Sequence, residues 1–227
     1  TEDYNRKDKE GVGFFQMTMK NGMRCSAAAA YLKPIRSRKN LHVITHAHTD
    51  KIEFDGKRAI AVMARVRGKS QRIKVGREII LSAGSIGSPQ ILMLSGIGDQ
   101  NDLGKHGIEP THHLPGVGRN LQDHLQARPV FKCNASTINT ETKNPLQLAS
   151  IAIEYAFKRS GPMAMAASLG TAFLKTHDAL ETPDIQFHLQ PFSADSVAEG
   201  SHKFSAFTAS VLQLRPESAG HLELVSA

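Results

Sequence analysis

A short apolar run, Ile79-Ile80-Leu81, passes without a break into Ser82-Ala83-Gly84-Ser85-Ile86-Gly87-Ser88-Pro89-Gln90, and no other stretch restricts the fold of this chain as strongly. Small residues directly after an apolar strand leave the backbone open to close approach by another group. Glu78 to Leu81 lacks polar alternation, which suits a strand covered on both faces, as in a parallel sheet. Ser88 then reads as the N-cap of a helix with Pro89 at its first position, where a missing N–H is harmless. The helix should stop at Gly96. In an α/β sheet, the turn that follows such a strand, here Ala83-Gly84, lies at the carboxyl end where ligands bind.

On either side of this run the pattern changes. Short β-rich segments at residues 41–45, 51–54, 59–66 and 71–75, split by Asp55-Gly56 and Gly68-Lys69, predict a β-meander feeding into the apolar strand. A Gly- and Pro-rich stretch covers 96–120. Beyond a composition change near 123–129 come an apolar helix over 145–157, a Ser160-Gly161-Pro162 break, and alternating strands over 184–190 and 204–214. Lone strands need a sheet, so an antiparallel sheet backed by that helix is expected, and the fold class is α/β locally and α+β overall. On the first of these strands, period two places Gln186, His188 and Gln190 on one face and Ile185, Phe187 and Leu189 on the other. The polar row fits the lining of a substrate pocket and fits a solvent-facing edge equally well.

Composition excludes more than it assigns. With 40% apolar residues in 227, the chain can build a core. No run of roughly 18 apolar residues and no charged-apolar leader is present, so no integral membrane segment is expected, and the setting is cytoplasmic or peripheral to a membrane. The net charge of +7 supports a second reading, a basic non-catalytic module for nucleic acid or anionic surfaces. Against that reading, the Lys and Arg residues are spread out with few aromatics between them, so no nucleic-acid partner is expected. Cys25 and Cys133 suit a reducing compartment better than a disulfide framework. His46 and His48, two apart on an expected strand, share a side, and His112-His113 adds two imidazoles, but no Cys or His-Glu-x-x-His motif accompanies them and no metal is expected. Asn120, Asp123 and His124 read as a loop-fixing hydrogen-bond network. Gly68-Lys69-Ser70 is no phosphate loop, since Met63 stands where its first Gly belongs, and there is no Gly-x-Ser-x-Gly elbow.

The run Gly84-Ser85-Ile86-Gly87-Ser88-Pro89-Gln90-Ile91-Leu92-Met93-Leu94-Ser95-Gly96-Ile97-Gly98 resembles the second signature of the glucose-methanol-choline (GMC) oxidoreductases at every constrained position. Gly22-Met23-Arg24-Cys25-Ser26 with Ala30-Tyr31-Leu32 is similar to another of the family's segments. So are Gly116-Val117-Gly118-Arg119-Asn120-Leu121-Gln122-Asp123-His124 and Arg215-Pro216-Glu217-Ser218-Ala219-Gly220. Pro183-Asp184-Ile185-Gln186-Phe187-His188 points to the choline-dehydrogenase-like group.

The resemblance implies part of an FAD-binding, Rossmann-like domain over residues 1–124 and part of an antiparallel-sheet substrate domain over 125–227, with the family's C-terminal region starting near 215. It implies FAD contacts at Ala83, Gly84 and the backbone of Thr49, which reads equally as a plain strand residue, while the substrate contacts at Gln186, His188 and Gln190 are an expectation from the period-two pattern alone. The reaction implied is oxidation of a primary alcohol, choline-like or otherwise aliphatic or aromatic, to an aldehyde by hydride transfer to flavin. Which alcohol and which electron acceptor are not legible. The family's opening Gly-x-Gly-x-x-Gly has no match, because Gln16, Asn101 and Leu121 occupy the third glycine's place after each Gly-x-Gly. The family's catalytic histidine region has none either. The expectation is therefore an internal segment with no catalytic base of its own, weak in FAD binding when isolated.

Overall fold

The computed structural model describes residues 3–6, 9–196 and 199–227. Three short strands come first, β1 (Gly11–Phe14), β2 (Met19–Lys20) and β3 (Met23–Arg24), followed by a meander of β4 (Ala47–Asp55), β5 (Arg58–Val66) and β6 (Lys69–Lys74). Helix α1 (Gly84–Leu94) leads to β7 (Ile97–Gly98), α2 (Gln100–Gly104) and β8 (His112–His113). The remaining elements are β9 (Gln126–Ala127), β10 (Val130–Lys132), α3 (Ile138–Glu141), α4 (Pro145–Lys158), β11 (Gly170–Leu174), β12 (Ile185–Gln190) and β13 (Ala206–Gln213). The fold mixes helix and sheet, and its ladders are antiparallel except for the two-residue β7–β8 pair. Among the described residues no helix is long and apolar enough to cross a membrane.

The chain forms two compact units, each built from separated stretches. The first runs up to Arg38 and resumes over His124–Pro216; the second combines Lys39–Asp123 with Glu217–Ala227.

In the first unit, β1, β11, β12, β13 and β10 form one sheet in that order, with β9 beside β13. The two alternating strands of the sequence appear here as β12 and β13. Register sets Thr171, His188 and Ser210 side by side across three strands. Thr171, Thr208 and Ser210 are buried, so one face of the sheet packs small polar side chains together with buried Phe173 and Ala206, while buried Ala172 alternates to the other face. Asp184 takes the N–H of Thr176 at 2.8 Å and its hydroxyl at 2.6 Å, which pins the β11–β12 connection. The hydroxyl, then the amide, holds the Asp184 carboxyl below its ordinary range. Fully buried Asn139 on α3 donates to Ser193 Oγ at 2.9 Å and Phe204 O at 3.2 Å and accepts the Ser193 N–H at 3.0 Å.

Helix α4 starts as its sequence demands. The Asn144 side chain caps the amides of Leu146 and Gln147, and Pro145 takes the first position. The sheet-backing role expected for it is corrected. Its principal neighbour is the short turn Pro162–Ala164, and Leu146 and Phe157 are 81% and 85% exposed. An amphipathic pattern specifies an apolar stripe but not the surface that covers it.

In the second unit the meander forms as β4–β5–β6, joined by turns at Gly56 and Gly68 in positive φ. Ile52, Ala61 and Ala64 make its core, and α1 brings Ile91 and Met93. Buried Ser95 joins the two, its Oγ accepting the Ile52 N–H at 2.8 Å and donating to Ile91 O at 2.5 Å. Left unpaired, that edge-strand amide would cost about 1–3 kcal/mol.

Four local expectations are corrected in this unit. Residues 41–45 form no strand. Residues 79–81 form none either, and Ile80 is 80% exposed, because no segment among the described residues lies alongside to complete a parallel ladder. Helix α1 begins at Gly84, not after Ser88, with Pro89 inside it. The Ser88 hydroxyl, instead of capping forward, accepts the Ala83 N–H at 3.0 Å. His46 lies outside β4 with φ 54°, so it does not share a strand face with His48.

Candidate functional site

In the second unit, Ala83 and Gly84 sit at the entrance to α1, exposed, with Gly84 at φ +79°. The first amides of a helix lack intrahelical partners, and no side chain caps those of α1. A Cβ added at Gly84 would meet nothing within 4 Å, so this turn offers open space beside uncapped N–H groups. Such a helix start suits a phosphate-bearing ligand by charge and hydrogen bonding. Thr49 lies half-buried on β4 opposite Ala64, next to a bulge between Thr49 and Lys51. A cleft of about 830 Å³ in the same unit is lined by His48 and Asp50, but not by Thr49, Ala83 or Gly84. That cleft does not gather the three residues.

The first unit holds a different space, an apolar cavity of about 840 Å³. The β2–β3 hairpin turns through Asn21 and Gly22, both at positive φ, the type I′ geometry that Asn-Gly favours. This hairpin carries Met19 and Met23 to the wall. The segment after α4 supplies Met163 and Met165, and Met17 precedes the hairpin, so five methionines line one cavity. His188 reaches it from β12, its ring in T-shaped contact with Phe15 at 5.0 Å between centroids. Gln186 and Gln190 do not line it. Their amides are tied to Thr171 Oγ1 at 3.1 Å and Ser168 Oγ at 3.2 Å, while Gln190 Oε1 is buried without a partner. Ser168 does line the cavity, so Gln190 acts on it at one remove. The sequence reading passed over the methionines. The Asn21-Gly22 dipeptide was the available signal for the hairpin, but nothing local ties it to 163–168.

Burial pushes the His188 imidazole below its ordinary value of 6.5. At neutral pH it is therefore an uncharged donor or acceptor. Because the folded value lies below the unfolded one, the folded protein binds fewer protons in between. Stability from this group is present above about 6.5 and is lost as pH falls through the folded value. Proton NMR titration should place the His188 midpoint below 6.5, and His188→Gln should lose part of the acid-induced drop in urea midpoint. A midpoint at or above 6.5 contradicts the burial account.

A second constellation has nucleophile-like contacts. Ser193 Oγ lies 2.9 Å from His202 Nδ1, and His202 Nε2 lies 3.1 Å from Asp195. Ser193 is 0% exposed and bound to Asn139, so no substrate reaches its oxygen and the group is structural. Among the described residues no group of three or more His, Cys, Asp or Glu gathers as for a metal. Several basic residues are paired, Arg65 to Asp50 at 2.9 Å, Arg72 to Glu53 at 2.6 Å and Arg119 to Asp102 at 2.5 Å, and the basic-module reading gains no support.

Comparison with known proteins adds a family match, two relatives and a solved structure. A family model described as GMC oxidoreductase matches residues 1–126. Mitochondrial choline dehydrogenase of Homo sapiens is 39% identical over 227 residues, which is 100% of this chain and 38% of that protein. Pseudomonas putida alcohol dehydrogenase (acceptor) is 35% identical over 228 residues, 99% of this chain and 41% of that protein. The chain thus spans about two-fifths of the length of these curated relatives. Among solved structures, an FAD-dependent oxidoreductase from Chaetomium thermophilum superposes with a TM-score of 0.78 at 23% identity, covering 95% of this chain and 44% of that one.

Proposed function

The chain belongs to the GMC oxidoreductase family, and from that premise we propose that it is a segment of an FAD-dependent enzyme that oxidises a primary alcohol to an aldehyde. One observation carries the cofactor side: the Ala83-Gly84 turn, open at Gly84 and followed by uncapped helix amides, suits close approach of a nucleotide. Ala83 and Gly84 would hold the FAD nucleotide, with the Thr49 backbone as a further contact. When bound, the flavin supplies the hydride acceptor for the alcohol carbon.

On the substrate side, the unit with the antiparallel sheet supplies the cavity. His188 orients the hydroxyl through an imidazole nitrogen, and Gln190 steadies Ser168 beside it. Gln186 braces the same strand through Thr171. None of these residues is assigned as the base. The relatives named for choline and for alcohol leave both substrate types within this reading, and a cytoplasmic or membrane-peripheral setting goes with it.

The test is direct. The full-length protein should purify yellow, and anaerobic addition of a primary alcohol should bleach its flavin absorbance with formation of the aldehyde. A colourless protein, or a flavin that no primary alcohol reduces, refutes the reading.

A further inference from the structure

Two buried side-chain oxygens of the first unit's sheet, Gln190 Oε1 and Ser210 Oγ, have no hydrogen-bond partner among the described residues. Ser210 is 0% exposed, so its hydroxyl is already enclosed and no further protein surface reaches it. An unpaired buried hydroxyl or carbonyl is costly, and two on one sheet need a physical reason.

The register brings the two together. Gln190 stands opposite Thr208 and His188 opposite Ser210, so Gln190 and Ser210 are diagonal neighbours on one face of the β12–β13 ladder. Diagonal residues lie about 7–8 Å apart, and the length of a glutamine closes that gap to the span of one small bridging molecule. Gln190 Nε2 is committed to Ser168 Oγ at 3.2 Å, and Ser168 comes just before β11, on the opposite side of β12 from β13. The two ends of a planar amide point apart, so this bond turns Oε1 away from β11 and toward β13. Thr208 completes the group. It is buried, and its hydroxyl proton goes to Phe192 O at 2.9 Å, which leaves the oxygen free to accept.

Gln190 Oε1 and Thr208 Oγ1 thus accept, and the Ser210 O–H donates. A small molecule that gives two hydrogen bonds and takes one in a space closed to solvent is water. We propose that one water molecule is enclosed between β12 and β13, held by Gln190, Thr208 and Ser210, and that through it Ser210 keeps the Gln190 amide on Ser168. Ser168 lines the methionine-rich cavity and Ser210 does not, so Ser210 is a positioning residue for that wall. The water site stands on the sheet alone, and its effect on alcohols rests on the alcohol-oxidising reading above.

A crystal structure of the full-length protein should show a water about 2.7–3.2 Å from both Gln190 Oε1 and Ser210 Oγ. No water there, or a direct bond between the two side chains, overturns the proposal. Ser210→Ala tests it by sign. If the hydroxyl holds a water, its removal lowers the thermal midpoint by at least about 1 °C; if the hydroxyl is unpaired, its removal relieves a buried cost, and a midpoint that holds or rises overturns the proposal. Ser210→Ala and Gln190→Met together should lower the midpoint by less than the sum of their separate shifts, because either one empties the site, and additive shifts overturn it. In the Ser210→Ala crystal structure the Gln190 amide should leave Ser168, and a retained bond overturns the positioning role. In flavin bleaching by a primary alcohol, the same variant should raise KM about threefold with kcat within about twofold, and an unchanged KM also overturns that role. If no primary alcohol reduces the flavin, the oxidation reading falls, and the density and midpoints still decide the water site.

Discussion

Gly96→Ala is expected to destabilise the unit built on the β4–β6 meander by about 3–5 kcal/mol, among the larger losses a single small substitution produces. Gly96 sits at φ +80°, where a side chain costs about 1–3 kcal/mol in backbone strain. Its added Cβ would also lie 2.6 Å from Glu109 O and 2.9 Å from Thr111 N. Neither neighbour is the loose end of a side chain. The Gly96 carbonyl accepts from Thr111 N at 2.8 Å and His112 N at 3.1 Å, so moving the backbone apart breaks the bonds that lead into the β7–β8 pair. Gly107→Ala is the control: φ is +67°, yet nothing lies within 4 Å of its added Cβ. It should lose only the strain, about 1 kcal/mol. Urea denaturation of both variants separates the contributions, and equal losses would show that the close approach at Gly96 does not matter.

Gly84→Val should instead leave the fold standing and remove the cofactor. The open surroundings of Gly84 mean no clash within the chain, and the cost is the strain of a β-branched residue at φ +79°, about 1–3 kcal/mol. In the full-length protein the new methyl groups would occupy the space proposed for the FAD nucleotide. The expected result is a largely colourless protein whose far-ultraviolet spectrum matches that of the parent. His188→Ala should retain its flavin and change only the kinetics toward alcohols. If Gly84→Val keeps full flavin occupancy and alcohol oxidation, the assignment of this turn is wrong.

Several elements were legible because their causes are local. The meander strands follow from alternation and from Gly56 and Gly68 at the turns, and α4 follows from Asn144 and Pro145 at its start. Strands β12 and β13 follow from period two, which also placed His188 on a polar row. The GMC signature from Gly84 to Gly98 identified the family for the same reason: its small residues and helix punctuation are contiguous.

Other features depend on partners far away in the chain. Gly11–Phe14 pairs with Gly170–Leu174, and no local pattern in either segment names the other. The apolar run at 79–81 carries strand propensity but cannot make a ladder without a neighbour, so propensity alone misled there. Ser88 has the chemistry of a cap, and the hydroxyl went to Ala83 because that amide was within reach. Asn139 looks like a surface residue until Ser193 and Phe204 surround it. The sequence by itself determined which segments extend, turn or coil, and the family they spell. Only the tertiary structure decided that Met17, Met19, Met23, Met163 and Met165 share a cavity with His188, because burial and charge at a site are sums over segments that meet only in three dimensions.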